Sequence, residues 1–412
     1  MPGANVVFFV SSLRDQSRMD ERASQYLAGF GAVPGYEFAV IDPESDIHPG
    51  DVTVLVVLSG GTESSALKFI ARTEGPVLML AHPADNALAA ALEILAFIRA
   101  QGRSGRVVQA SPGWQDELYT LLRLASAHAT MRRAAIGVIG ARDVEVMSPR
   151  RLASEVRRVW GPRLEFMDVE DLVDAVDSAD PARVEEAARE LSVGASAVVE
   201  PTPDVMLGAA RVYVGLRDIV DARGLAAVAV KCFDLLSLIE NTGCYALARL
   251  NEEGVPAACE ADILSAVGML LLHAITGQPS FMANPSSIDP RTGKAVFAHC
   301  TIARTMTGSY VIRSHYESGI GVGIEGRVAP GDLTIARIGG RALDEVMAAR
   351  ARLVECGSRA DLCRTQLTLE FNDPADAEGL LFAPLGNHHL VVAGDWVEMI
   401  ETYVSLYARR HR

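Results

Sequence analysis

Five polar residues in the second half of the chain have the side chains that a divalent metal ion and a proton-transfer reaction need. Glu260 is followed by Asn284, then by His299 and by the adjacent pair His388 and His389. Carboxylate and amide oxygens and imidazole nitrogens are suitable ligands for an ion such as Mn²⁺. Spacing alone is a weak signal, because each histidine can instead be an ordinary structural residue with a satisfied hydrogen bond.

Glu260 is placed where many α/β proteins bind ligands. Residues 255–259 form an apolar run typical of a buried strand, and residues 262–276 carry apolar side chains at helical spacing until Gly277 ends the pattern. Glu260 is therefore expected between a strand's carboxyl end and a helix's amino end, where the helix dipole stabilises a negative charge by roughly 0.3 to 1 kcal/mol. The alternative is a glutamate in an ordinary first helical turn.

The elements that would hold these residues follow two rhythms. Residues 1–132 and then 133–280 alternate apolar runs with helical patterns, which predicts two doubly wound α/β domains, each with a parallel sheet. Residues 281–412 carry strand-like segments separated by Gly, Pro and Asp turns, which predicts a β-rich, barrel-like antiparallel domain closed by a helix over 395–407. Strands are predicted at 6–10, 52–58, 77–80, 134–139, 164–167, 197–200, 226–230, 255–259, 295–299, 321–328, 333–338, 366–371 and 389–393.

Composition narrows the class of protein. The 412 residues are 49% hydrophobic and 22% charged, which is typical of a folded chain with material for more than one core. A net charge of -14 argues against a nucleic-acid partner. No apolar run is long enough to span a bilayer, and residues 1–16 lack the basic flank of a signal peptide, so we expect a cytoplasmic protein with no membrane partner. Six cysteines without a C-x-x-C pair are expected to be reduced thiols.

One short motif is misleading. Residues 321–326 match G-x-G-x-x-G, but the segment that follows them has a strand and turn pattern rather than the helix that a dinucleotide site requires. The match is expected to be accidental.

At these residues the chain resembles the L-fucose isomerase and L-arabinose isomerase superfamily, and most closely its shorter fucose-isomerase-like members. The resemblance covers most of the chain and is strongest in the second half. Its matching stretches are 250–262, 275–277, 298–300, 331–337 and 386–389, with Lys231-Cys232 before them and with Gly60-Gly61-Thr62-Glu63, His82-Pro83, Asn86 and Glu93 in the first domain.

The resemblance implies a metal-dependent aldose–ketose isomerase with Mn²⁺ or another divalent cation, assembled as a homo-oligomer, a trimer or hexamer. Its active site would lie between the second and third domains, closed by a neighbouring subunit's first domain. Glu260 matches the first metal-binding carboxylate, and Asn284 stands where the family has an aspartate. His299 matches a metal ligand of the arabinose isomerases. His388 or His389 matches the late histidine, with a slight preference for His389.

The resemblance also implies contacts to a small sugar substrate. Those within the second half of the chain are Lys231, Asn241 and Arg337. The ordinary alternatives are a surface charge at a strand end, a helix cap and a solvated strand face, respectively. Contacts that close a neighbouring subunit's site are expected from Thr62, Glu63, His82 and Asn86, with turn and capping roles as the alternative.

The expected reaction moves a proton between two neighbouring sugar carbons through an ene-diol, with Glu260 as metal ligand and general base. An amide at Asn284 cannot carry a proton, so the second acid-base group is open among Asp262, Asp289 and a water. Two further functions stay open. One is the same metal site retuned for aldol cleavage, epimerisation or an anionic sugar derivative. The other is a non-catalytic sugar-binding protein, whose ligand would lie between the first two domains.

Overall fold

A computed structural model describes residues 3–47, 52–140 and 149–408. The chain divides into two compact units, one formed by residues 1–129 with 401–412 and the other by residues 130–400. Among the described residues, no helix is both long and apolar enough to cross a membrane. All six cysteines fall within the described ranges and are free thiols, as expected.

The first unit is built on a five-stranded parallel sheet in the order β2-β1-β3-β4-β5. Its strands are β1 (Gly3–Phe9), β2 (Glu37–Val40), β3 (Val52–Val57), β4 (Val77–Ala81) and β5 (Gly105–Gln109), and its helices are α1 (Gln16–Phe30), α2 (Glu63–Ile70), α3 (Ala87–Ala100) and α4 (Trp114–Arg133). The three central strands match the predicted ones. Strands β2 and β5 were not predicted, because both are edge strands without a continuous apolar run.

The second unit begins with a four-stranded parallel sheet in the order β10-β9-β6-β7. Its strands are β6 (Ala135–Ile139), β7 (Arg163–Met167), β9 (Ala227–Val230) and β10 (Ala257–Ala258). The accompanying helices are α5 (Pro149–Val159), α6 (Val169–Asp177), α7 (Pro181–Val193), α8 (Pro203–Arg223), α9 (Cys232–Leu238), α10 (Cys244–Glu252) and α11 (Ile263–Thr276). These strands agree with the predicted alternation of strand and helix.

One strand predicted for this sheet lies elsewhere. Strand β8 (Ala197–Val198) pairs in parallel with β13 (Ser309–Arg313), in a separate three-stranded sheet with β14 (Gly323–Arg327). Both residues of β8 are exposed, so the strand lacks the buried faces that a central parallel strand needs. Its placement in the parallel sheet was wrong.

The last part of the second unit is a closed antiparallel barrel in the order β11-β12-β17-β16-β15-β18. Its strands are β11 (Phe281–Asp289), β12 (Lys294–His299), β15 (Gly331–Gly339), β16 (Glu345–Gly357), β17 (Thr365–Phe371) and β18 (His389–Ala393), followed by α13 (Val397–Tyr403), with α12 (Pro374–Phe382) between β17 and β18. The expectation of parallel sheets followed by a barrel-like antiparallel part is confirmed. Residues 321–326 contribute to β14 and no helix follows them, so the accidental G-x-G-x-x-G match is confirmed as well.

The parallel-sheet and barrel parts of this unit share one hydrophobic core. Tyr245 on α10 and Phe281 and Phe297 on the barrel belong to the same buried cluster, and each is fully buried. Burial of such a side chain stabilises a fold by about 1.5 to 3 kcal/mol. The change near residue 280 is therefore a change of sheet type within one packed unit, and this continuous packing holds β12 and β18 of the barrel against α10.

Candidate metal centre

The ends of two strands and the start of a third lie at one place in the second unit and bring a carboxylate and two imidazoles together. Glu260 lies just after β10, His299 is the last residue of β12, and His388 immediately precedes β18. Strand β11 lies between β12 and β18 in the barrel and pairs with both, so these two strand ends are close neighbours. The strand-to-helix position predicted for Glu260 is the one found.

The nitrogen atoms of both rings point at the same carboxylate oxygen. Nε2 of His299 lies 3.7 Å from Oε1 of Glu260, and Nε2 of His388 lies 3.5 Å from it. The two ring centroids are 5.7 Å apart, and the three ligand atoms all lie within 4.8 Å of one another. In the described part of the chain this is the group of His, Cys, Asp and Glu side chains able to hold a metal ion.

The opposite ring nitrogens are held by polar partners of the protein. Nδ1 of His299 is 3.1 Å from Oγ1 of Thr301, and Nδ1 of His388 is 2.9 Å from Oδ2 of Asp262. Metal-binding histidines almost always use their second nitrogen in this way, which orients the ring and fixes the tautomer. One carboxylate and two oriented imidazoles are a donor set that suits Mn²⁺, Zn²⁺ and related divalent ions, so the residues present fit a metal.

The charges in the cluster depend on each other. The nearby rings of His299 and His388 stabilise the charged form of Glu260 and lower its pKa to about 2. Burial opposes the charged form of His388, but its hydrogen bonds to Asp262 and Glu260 outweigh burial and raise its pKa to about 9. Burial likewise opposes the charge of Asp262, yet the hydrogen bond from His388 and the nearby Arg337 hold its pKa below the ordinary value. In the metal-free cluster a positively charged His388 therefore pairs with the carboxylates of Glu260 and Asp262, and a bound cation would take the place of its proton on Nε2.

The backbone at Glu260 is strained. Glu260 has φ +56° and Ala261 has φ +51°, a left-handed conformation that costs about 1 to 3 kcal/mol for a residue with a side chain. Two hydrogen bonds hold it, from the Ala261 N–H to the Val230 carbonyl (2.9 Å) and from the Asp262 N–H to the Cys259 carbonyl (3.1 Å). The sharp turn directs Glu260 to the barrel before α11 begins.

Helix α11 positions Asp262 against the barrel. Asp262 is the N-cap of α11, and its Oδ1 accepts a hydrogen bond from the Ser265 N–H at 2.8 Å. The helix packs so tightly on β18 that a Cβ added at Gly268 would lie 2.6 Å from Cδ1 of Leu390. This packing brings the start of α11 beside His388.

The slightly preferred ring, His389, is not the one that the structure brings to Glu260. Its Nδ1 donates to the carbonyl of Asn387 at 3.0 Å, and its ring packs edge-on against Phe297. Burial lowers the pKa of His389 to about 4, so the ring is neutral. His388 is the member of the pair that turns toward Glu260, because successive residues of a strand point to opposite sides.

The side chain of Asn387 lies between Asn284 and the cluster. Its Oδ1 accepts a hydrogen bond from Nδ2 of Asn387 at 3.1 Å, and the same Nδ2 is 3.5 Å from Nε2 of His388. Asn284 as a metal ligand stays a prediction. Asp289, one of the open acid-base candidates, is at the far end of β11, five residues beyond Asn284 and about 17 Å along an extended strand.

The residues predicted to touch substrate in this unit occupy different settings. Lys231 follows β9, its side chain is half exposed, and its Nζ lies 3.4 Å from Asp234. Asn241 is buried, donates to the Val205 carbonyl and accepts from the Thr242 N–H. Arg337 is buried and donates to Asp262 at 2.8 Å. The alternative of Arg337 on a solvated strand face is therefore wrong.

Four further predicted residues lie together in the first unit, in the connections after β3 and β4. Thr62 precedes α2 and donates to the Ser59 carbonyl, and Oε1 of Glu63 accepts from the Gly61 N–H at 3.4 Å. Asn86 precedes α3 with φ +60°, and neither Thr62 nor Asn86 makes a side-chain capping bond. A capping role does not explain these two.

His82 has a more specific setting. Its Nδ1 is 2.8 Å from the Tyr26 hydroxyl, and the two residues line a cavity of about 240 Å³ together with Arg22 and Trp114. A contact from His82 to a sugar stays a prediction.

The partners of the two rings were not predicted from the sequence. Asp262 was considered as a proton carrier and Arg337 as a substrate contact, and Thr301 and Asn387 were not considered. The available signal was the capping spacing of Asp262 and Ser265, together with the closeness of Asp262 to Glu260 in the chain.

Comparison with known proteins finds two curated relatives. Sulfoquinovose isomerase of Clostridium sp. (strain MSTE9) is 25% identical over 233 residues, which are 54% of this chain and 51% of the relative. Sulfoquinovose isomerase of Alkalicoccus urumqiensis is 24% identical over 234 residues, which are 55% and 52%. The aligned region spans about half the length of the curated relatives it matches.

Two other comparisons add no argument. No protein-family model matches the chain. The solved D-threo-3-hydroxyaspartate dehydratase from Delftia sp. HT23 is 13% identical, covers 99% of this chain and 84% of its own, and has a TM-score of 0.13, which is too low to compare folds.

Proposed function

We propose that the chain is a metal-dependent aldose–ketose isomerase that acts on a sugar or sugar derivative by ene-diol proton transfer. The observation that carries the proposal is the group of Glu260, His299 and His388, whose ligand atoms lie within 4.8 Å of one another. Two relatives named as sugar isomerases support it. These three residues would hold Mn²⁺ or another divalent cation.

The chemistry assigns a proton-transfer role to Glu260. Isomerisation takes a proton from one carbon and returns it to the neighbouring carbon. A bound divalent ion would supply the Lewis acidity that polarises the sugar carbonyl. Glu260 needs that help, because a carboxylate with a pKa of about 2 is too weak a base for an unactivated carbon. The closest approach of both rings is to Oε1, so we assign the proton to Oε2.

A single carboxylate would serve both carbons. Asn284 has an amide that cannot exchange a proton, and Asp262 is fully engaged by Ser265, Arg337 and His388. Glu260 would therefore take the proton from C2 and deliver it to C1 on the same face of the ene-diol. The hydroxyl proton at O2 must also reach O1, and a water can carry it, so the proposal needs no second acid-base side chain.

The test is proton exchange in a sugar panel. The chelated protein, reloaded with Mn²⁺, is incubated in D₂O with aldoses, ketoses, their phosphates and sulfoquinovose, and deuterium at C2 of the aldoses and C1 of the ketoses is followed by NMR. We expect exchange in at least one sugar and a loss of about 10² to 10⁴-fold in Glu260→Gln. His273→Asn is the matched control, since His273 lies near the opposite end of α11 and contacts Gln278. A Glu260→Gln rate equal to that of the unmodified protein would refute the assignment.

The amide at Asn284 leaves reactions other than isomerisation open. The loss of one acidic side chain is compatible with epimerisation, with aldol cleavage or with an anionic sugar derivative. Asn284→Asp separates the cases, because it should raise isomerisation of ordinary aldoses only if the site has been retuned. Product analysis of each reactive sugar distinguishes a ketose, an epimer and a pair of cleavage products.

The remaining parts of the proposal rest on the family resemblance. They are the choice of Mn²⁺, the trimeric or hexameric assembly, the cytoplasmic location, and substrate contacts from Lys231 and Asn241 and from the first-unit residues Thr62, Glu63, His82 and Asn86 of a neighbouring subunit. Sedimentation of the purified chain and metal analysis test the first two.

A further inference from the structure

We propose that Arg337 and Asp262 form a positioning pair that holds a proton on Nδ1 of His388, so that Nε2 is the nitrogen left to bind a cation beside Glu260. The inference rests on the proposed metal site, although it concerns residues that would not touch the metal or the sugar. Oδ2 of Asp262 lies 2.8 Å from Nη1 of Arg337 and 2.9 Å from Nδ1 of His388.

Asp262 can only accept in this arrangement. Its ionised carboxylate has no proton to donate, so Nδ1 of His388 must carry the hydrogen in the contact at 2.9 Å. A neutral imidazole protonated at Nδ1 has its lone pair on Nε2. That atom lies 3.5 Å from Oε1 of Glu260 and is the one able to bind a cation.

Arg337 has a setting that packing alone does not explain. Its side chain is 7% exposed, and its Nη1 donates to both Asp262 and Ser265. Its Nε is buried without a hydrogen-bond partner, an arrangement that costs about 1 to 3 kcal/mol. The buried guanidinium of Arg337 stabilises the negative charge of Asp262 beside His388.

The loop that carries His388 is shaped around the same guanidinium. Gly386 has φ +153°, and a Cβ added there would lie 2.5 Å from Nη2 and 2.8 Å from Nε of Arg337. The backbone two residues before His388 therefore rests directly on Arg337. Gly386, Arg337, Asp262 and His388 form a closed set of contacts.

The second ring lacks this charged support. Nδ1 of His299 faces the neutral hydroxyl of Thr301 at 3.1 Å, and a hydroxyl can donate or accept. The tautomer of His299 is thus left free to adjust, whereas that of His388 is imposed by a charge. This asymmetry makes His388 the ring whose orientation depends on one identifiable carboxylate.

Two substitutions at Asp262 test the pair. Asp262→Asn can retain the cap to the Ser265 N–H with its oxygen, which places an amide N–H toward Nδ1 of His388 and moves the imidazole proton to Nε2. Asp262→Ala removes the acceptor altogether. We expect Mn²⁺ affinity to fall by about 10 to 100-fold in each, as for other outer partners of metal-binding histidines.

The second readout needs no metal and no activity. Protein labelled with ¹⁵N-histidine is measured without metal at alkaline pH, where the ring is neutral and the two tautomers differ in nitrogen shift. The unmodified protein should show His388 protonated at Nδ1, and Asp262→Asn should show it protonated at Nε2. Asp180→Asn is the matched control, since Asp180 caps α7 through the Arg183 N–H in the same way. It should leave both readouts unchanged.

Retention of the Nδ1-protonated tautomer in both Asp262 variants, with Mn²⁺ affinity within about threefold of the unmodified protein, overturns the inference. Failure of the unmodified protein to bind Mn²⁺ or another divalent ion contradicts the proposed function instead. The tautomer measurement still decides the positioning role in that case, so the two failures are distinguishable.

Discussion

Metal binding should release a proton from His388, and the size of this effect follows from the structure. The pKa of His388 is about 9 in the metal-free cluster because Asp262 and Glu260 outweigh its burial. pH 7 is two units below that pKa, so only about 1% of the molecules have a neutral His388 ring with a free lone pair. The apparent dissociation constant for Mn²⁺ should therefore fall about tenfold for each pH unit up to about pH 9.

Calorimetry measures this release directly. Titration of the chelated protein with Mn²⁺ between about pH 6.5 and 8.5 should show a change of about a hundredfold in affinity. Repetition in buffers of different ionisation enthalpy should give about one proton released per ion at pH 7 from this ring. His388→Asn should remove that proton, and His273→Asn should leave it unchanged. An affinity that stays level over this pH range would refute the reasoning.

The same shift predicts the pH dependence of metal-free stability. A folded pKa raised from 6.5 to about 9 contributes on the order of 3 kcal/mol, fully present below about pH 6.5 and lost as the pH rises through about 9. Glu260 acts in the opposite range, because its lowered pKa contributes stability that is present above about pH 4.5 and lost as the pH falls toward about 2. The free energy of unfolding, measured with denaturant in the presence of a chelator, should thus be highest between these limits. Its decrease at alkaline pH should be absent in His388→Asn.

Three further results are expected. His388→Asn should weaken Mn²⁺ binding by more than about tenfold, whereas His389→Asn should change it by less than about threefold, and equal losses in equilibrium dialysis would contradict the choice of ring. Gly386→Ala should press on Arg337 and lower both the free energy of unfolding, by about 1 kcal/mol or more, and the Mn²⁺ affinity, and an unchanged denaturation midpoint would show that the contact is soft. If Glu260 alone moves the proton, a C2-deuterated aldose should yield some ketose deuterated at C1, detected by mass spectrometry, and complete loss of label at the earliest times would argue for a second proton carrier.

Much of the fold was predictable because its signals are local. Buried parallel strands such as β3 and β4 are continuous apolar runs, and α11 has both a helical apolar pattern and capping residues at its two ends. Edge strands such as β2 escaped because an exposed strand has no apolar face to detect. Strand β8 was assigned to the wrong sheet because the sequence contains no signal for the partner with which a two-residue strand pairs.

The candidate site divides in the same way. The position of Glu260 between strand and helix is local, so composition and spacing predicted it. The choice between His388 and His389 is not local, because both are 2% exposed and adjacent, and they differ only in which way each ring turns. That direction depends on how the barrel closes through β11 and β18.

Sequence by itself determined the types of ligand available and the turn that presents Glu260, since both depend on neighbouring residues. Only the tertiary structure placed Asp262 and Arg337 beside the ring of His388. Asp262 and His388 are 126 positions apart, and their contact exists because α11 packs against the barrel. Hydrogen bonds between residues so far apart in the chain depend on how the elements pack, and the residue types alone do not specify those distances.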